Sequence, residues 1–201
     1  MSNFAVVQDG QVTQILPLDR PFNIGTKQYS AVFLRTSTPA EKLEAGIWDI
    51  IQGARPDDKY YWISGPAYRV NETNSTVEAS YSGNPKLLDD REEVDQDGKP
   101  IYVKVLGEVD GKPAMVDSAE QLVTKGLKST ETATVKTTAN SLLSATDWMI
   151  IRKVERSVEI PADVAAYRAA VIAECTRLVD AIAATTSVDE LAAVTANWPD
   201  A

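Results

Sequence analysis

The chain has 201 residues, enough for one good-sized domain or two small ones, and 44% of them are hydrophobic, so it can bury a core. With 29 acidic against 20 basic residues the formal charge is −9, which argues against nucleic acid as a partner because that affinity is built from neutralised phosphates. Histidine is absent, removing Ser-His-Asp and Cys-His nucleophile systems, His-containing zinc sites and the commonest general base near neutral pH.

The first ten residues, Met1 to Gly10, lack a basic n-region and read directly into a strand rather than a leader. Phe4–Val7 and Val12–Leu16 flank Asp9-Gly10, a two-residue hairpin signal. Ser30–Leu34 is a third candidate strand. Thr38-Pro39-Ala40-Glu41 has the form of a capping box with proline in the first turn, which predicts a short helix ending near Gly46. Ile47–Ile51 and Tyr60–Ile63 read as strands. These features define an α+β module over residues 1–70.

Residues 71–117 are rich in turn formers and acids, with Ile101–Val105 and Ala114–Val116 as β runs between Asp97-Gly98 and Asp110-Gly111 turns. This is a β-hairpin-rich extension. Two Asn-x-Thr sequons, at Asn71 and Asn74, read as a polar turn.

A helical C-terminal module is expected over 118–201. Ser118-Ala119-Glu120-Gln121 offers an N-cap, and apolar residues recur at Leu122, Val123, Leu127, Val135, Ala139, Leu142 and Leu143. A Thr-rich amphipathic helix and an irregular segment over Ser129–Thr134 both fit this stretch. Pro161 opens a firmer helix, whose stripe Val164, Tyr167, Val171, Cys175, Leu178 and Ile182 is widened by Ile172 and Val179. Ser187 caps a last short helix carrying Leu191 and Val194, and the sequence nears its end at Trp198-Pro199. Neither this region nor any other holds the roughly 20 apolar residues of a membrane span; Val164–Ile172 is broken by Tyr167 and Arg168. The fold class is therefore α+β, with a β-rich N-terminal module, a hairpin-rich middle and a C-terminal helical hairpin.

Few groups invite chemistry. Asp95-Gln96-Asp97-Gly98 superficially suggests a calcium loop, but Lys104 stands where the bidentate Glu belongs, so an acidic turn is expected. Asp89, Asp90, Glu92 and Glu93 form the densest acid cluster; they read as a solvated charge run in which no carboxyl is desolvated enough to act as a general acid. Cys175 lies on an apolar stripe without an activating base, and as the lone cysteine it forms no internal disulfide, which fits a reducing cytoplasm. Trp48, Trp62, Trp148 and Trp198 either form a sugar-binding platform or, scattered as they are, anchor core and interfaces. The expectation is a protein without catalytic residues, metal or cofactor that works by touching other proteins.

Residues 141–168 predict a helix ending at Ser144-Ala145, a Thr146-Asp147 turn, Trp148 plugging the corner between two helices, Tyr167 packed inward, and Arg168 paired with Asp147 or Glu155. The string Leu142-Leu143-x-x-Thr146-Asp147-Trp148, with Arg152, Glu155, Ile160-Pro161 and Tyr167-Arg168, resembles a C-terminal module of phage tail assembly chaperones and tail-fibre assembly proteins. Those proteins typically end in a Trp-Pro pair, matched by Trp198-Pro199. The resemblance covers roughly Ser118 to Ala201; the helix continued to about Ala184 and the Ser187-capped helix depart from it. It implies phage tail-fibre or baseplate proteins, or a second copy of the chain, as partners. It also implies assembly in the host cytoplasm and a place in the virion tail, with Trp148, Arg152, Tyr167, Arg168 and Trp198 as contact residues.

Overall fold

The structure is a computed structural model that describes residues 4–200; Met1–Asn3, where the leader reading began, lie outside it. It is an α+β protein of two compact units, Met1–Asn84 and Pro85–Ala201.

In the first unit, β1 (Phe4–Gln8) and β2 (Gln11–Ile15) form the expected hairpin, with Asp9 and Gly10 both at positive φ, the backbone a type I′ turn requires. β3 (Phe22–Ile24) and β4 (Lys27–Tyr29) make a small second hairpin around Gly25. The Ser30–Leu34 strand does not form. That short apolar run instead enters the single turn of α1 (Phe33–Thr36), where Leu34 is buried; such runs have no alternation to distinguish strand from helix. α2 (Pro39–Glu44) carries the reciprocal capping box of Thr38 and Glu41.

β5 (Ile47–Gln52), β6 (Tyr61–Asn71) and β7 (Thr76–Pro85) complete a sheet of order β2-β1-β5-β7-β6. β1 is antiparallel to β2 and β5, and β5 is parallel to β7. The edges β2 and β6 approach one another, so the sheet curls on itself. The expected boundary at residue 70 falls inside the β6–β7 pair, whose turn at 72–75 is held by the Asn71 side chain accepting from the Asn74 N–H.

Alternation along β1 sends side chains into two clusters. Val6 joins Leu16, Phe22, Tyr29, Leu34 and Ile47 under α1, α2 and the small hairpin. Ala5 and Val7 join Ile50, Val77 and Ala79 on the other face. Each large aliphatic side chain so enclosed contributes roughly 1.5–3 kcal/mol.

In the second unit, β8 (Arg91–Glu92) pairs with β11 (Val123–Thr124), while β9 (Tyr102–Val109) and β10 (Lys112–Gln121) form a long two-stranded ribbon turned at Asp110-Gly111. The N-cap expected at Ser118 is absent because β10 runs on to Gln121, and the helix starts later. α3 (Leu127–Ser144) is helical throughout, the Ser129–Thr134 stretch included. Its threonines return their hydroxyls to the preceding turn: Thr130 to the Gly126 carbonyl, Thr134 to Thr130, Thr137 to Ala133 and Thr138 to Thr134.

The start of α3 is capped from a remote segment. The N–H groups of Leu127 and Lys128 donate to the carbonyls of Leu87 and Leu88, and that of Gly126 donates to Asp90. The approach is so close that a Cβ at Gly126 would sit 2.5 Å from the Leu88 oxygen.

α4 (Asp147–Arg156) is followed by α5 (Ala162–Ala184), which packs on α3, and by α6 (Val188–Ala192). The expected two-helix hairpin is thus interrupted by a third helix. Val171, Leu178 and Ile182 of α5 are buried with Val188 and Leu191, but Ile172 faces out, so the α5 core stripe is narrower than expected. Among the described residues, no helix is long and apolar enough to cross a membrane.

Candidate functional site

Chemistry of the kind that needs a raised carboxyl pKa is opposed by the acid cluster. Asp89 pairs with Lys128 at 3.0 Å. Lys125 and Ser129, then the Gly126 N–H, hold Asp90 down at about 2. The Thr124 hydroxyl, then Arg91, lower Glu93. The cluster is a solvated charge run as expected, and within it Asp89 and Asp90 also tie down the entry to α3. In the Asp95 turn, the carboxylate accepts from the N–H groups of Asp97 and Lys99 and so serves its own backbone.

The segment 141–168 gathers its residues differently from expectation in one respect. Arg168 behaves as anticipated: its guanidinium pairs with Asp147 at 2.9 Å, not with Glu155, and also donates to the Leu143 carbonyl and the Thr146 hydroxyl. One half-buried fork on α5 thereby ties the end of α3, the following turn and the start of α4. Tyr167 is half-buried beside it in sequence.

Trp148, by contrast, does not plug a corner. It is the second residue of α4 and 51% exposed, with the Arg152 guanidinium 4.8 Å above its ring. The reason is the helix itself, which lifts Trp148 out on its first turn and ends at Ser157, a residue at positive φ.

At about 3.6 residues per turn, Trp148, Ile150, Ile151 and Val154 lie on one side of α4, together with Asp147 and Glu155. Met149, Arg152, Lys153 and Arg156 lie on the other. The half-buried members are Met149 and Arg152, and the Arg152 Nε is enclosed without a hydrogen-bond acceptor. Met149 and Arg152 therefore face the protein, Lys153 and Arg156 stay exposed, and the apolar side faces water beyond Asp147, which Arg168 holds. Ile151 is 58% and Val154 80% exposed. An ordinary surface helix turns its apolar side inward.

Ile150, Ile151 and Val154 were not among the expected contact residues. Their signal was the three-residue spacing from Trp148 through Ile151 to Val154, set against basic residues on the opposite face.

Trp198 is half-buried on an extended tail secured by a second clamp that sequence reasoning missed. Arg177 makes a two-pronged pair with Glu174 and donates to the Thr195 carbonyl, while Glu174 accepts from the Asn197 N–H at 2.6 Å. Arg177, helped by the Asn197 N–H, holds Glu174 down at about 2. The four tryptophans divide between the units, Trp48 and Trp62 in the first, Trp148 and Trp198 in the second. Cys175 is half-buried on α5.

No known protein family, curated protein or solved structure matches the chain.

Proposed function

We propose that the chain works by protein–protein contact in bacteriophage tail-fibre assembly or attachment, with α4 as its contact face. The observation that carries this reading is the outward apolar side of α4, formed by Trp148, Ile151 and Val154. An apolar side held in water contributes free energy when a partner covers it, and tryptophan and arginine are among the residues most enriched at the centre of such contacts. The residues that carry the likeness to tail-fibre assembly proteins also support it, since Thr146, Asp147 and Arg168 are the ones that lock α4 in place.

Co-expression with a phage tail-fibre or baseplate protein tests the proposal. A stable complex is expected from the native chain and its loss from Trp148→Ala; a complex that survives that change with unaltered affinity overturns it.

The β9–β10 ribbon favours a second reading, self-association. Tyr102, Val105, Leu106, Val109 and Met115 are all exposed on it, and among the described residues neither strand has a second neighbour. Isolated two-stranded ribbons are marginal in water, and open edges accept further strands. Sedimentation of the pure chain separates the readings: a concentration-dependent dimer or trimer supports self-association, and a monomer at all concentrations rules it out.

A further inference from the structure

Within the first unit, the seam between β2 and β6 opens into a groove of about 390 Å³ that the contact function does not use. Ile15, Ile63 and Pro66 supply apolar surface, Tyr68 and Tyr81 supply rings, and Gln52 and Arg55 supply the polar groups. The groove depends on the close pass of β6 over β7 at Gly65, where φ is +110° and a Cβ would lie 2.9 Å from the Ser80 oxygen.

The Tyr81 hydroxyl donates to the Gln52 carbonyl oxygen at 3.0 Å. That bond fixes the tyrosine ring and leaves the Gln52 amide N–H₂ as the donor end. Arg55 is held by Asp58 only at 3.8 Å, with both side chains well exposed. Among the described residues no carboxylate lines the groove itself, Asp58 standing behind Arg55. In a chain of charge −9, a concavity whose one charged lining group is a guanidinium selects an acceptor-rich, singly anionic ligand. Flat apolar rings suit the C–H face of a pyranose, and the planar fork of Arg55 suits a carboxylate.

We infer that this groove binds an acidic sugar, a pyranose ring bearing a carboxylate, with Arg55 on the carboxylate, Gln52 on ring hydroxyls and Tyr68 and Tyr81 against the ring. A peptide is the weaker candidate because an added strand needs a free edge on β6, and β2 already approaches it. The inference stands on the first unit alone and does not depend on the role of α4.

Titration of the full chain with sodium glucuronate, followed by amide shifts in NMR, tests it. Saturable binding is expected, with shifts centred on Gln52, Arg55, Gly65 and Tyr68. Glucose should bind about tenfold more weakly, and acetate without a ring should not saturate. Arg55→Ala should weaken glucuronate about tenfold or more and Tyr68→Ala about fivefold. Both side chains are at the surface, and an unchanged melting temperature shows that the variants fold. The inference is overturned if glucuronate fails to saturate in the millimolar range, if Arg55→Ala leaves its affinity intact, or if a short peptide with a free C-terminus outcompetes it.

Discussion

Among the described residues, the first unit buries eleven hydrophobic residues and leaves five large ones exposed, whereas the second, although longer, buries seven and exposes fifteen. The first unit covers both faces of its sheet: β1 buries Ala5, Val6 and Val7 in succession, which requires packing above and below. In the second unit the order comes from polar clamps at chain junctions. Asp90 caps α3, Arg168 ties α4 to α5, and Glu174 with Arg177 holds the tail before Trp198. The Arg168 clamp sets α4 in place without burying its apolar side chains. A region ordered by polar bonds can keep hydrophobic surface for something outside itself.

The contrast can be broken most strongly in the cores. Leu16→Ala in the first unit and Leu178→Ala in the second remove fully enclosed side chains, each at a cost of about 2–5 kcal/mol. Hydrogen exchange should show each loss confined to its own unit. A change that loosens both units equally would contradict their separate cores.

Arg168→Ala should cost about 1.5–3 kcal/mol, because a charged donor leaves both Asp147 and the Leu143 carbonyl. The faster exchange should appear at the end of α3 and in α4, with β1 and β5 unaffected.

Acid offers a third separation. Glu174 and Asp90 are held at about 2, below their ordinary 4.5 and 3.8. A carboxylate with a lowered native pKa lends its full stabilisation above the ordinary value and loses it as pH falls towards the native one. The second unit should therefore weaken between pH 4.5 and pH 2, with Glu174→Gln and Asp90→Asn each flattening that dependence in thermal melts. An acid profile untouched by both changes would refute the clamps. The smallest effect is expected from Ile151→Ser and Val154→Ser, within about 0.5 kcal/mol of native stability, because neither side chain is buried.

Local signals in the sequence were read well where the chemistry is local. Asp9-Gly10, the Thr38–Glu41 box and Pro161 each act within a few residues, and each produced the turn or helix start it announces. The Asp147–Arg168 pair was also legible, because few partners lie within reach of Arg168. The remote bonds were not. Nothing near Gly126 signals that Leu87, Leu88 and Asp90 will cap it, so the Ser118 segment looked like the better helix start although it belongs to a strand. The outward turn of Trp148 was hidden for a related reason. Spacing shows that α4 has two sides, but which of them meets α3 and α5 depends on where Arg168 draws its first turn.

The claim that α4 is a contact face stands or falls on one comparison: the affinity for a tail-fibre or baseplate partner of the native chain and of the Trp148→Ala, Ile151→Ser, Val154→Ser variant, measured alongside their melting temperatures. Binding should fall by at least about 2 kcal/mol while melting stays within a few degrees. A variant that binds as tightly as the native chain, or that loses binding only because its second unit has unfolded, would contradict it.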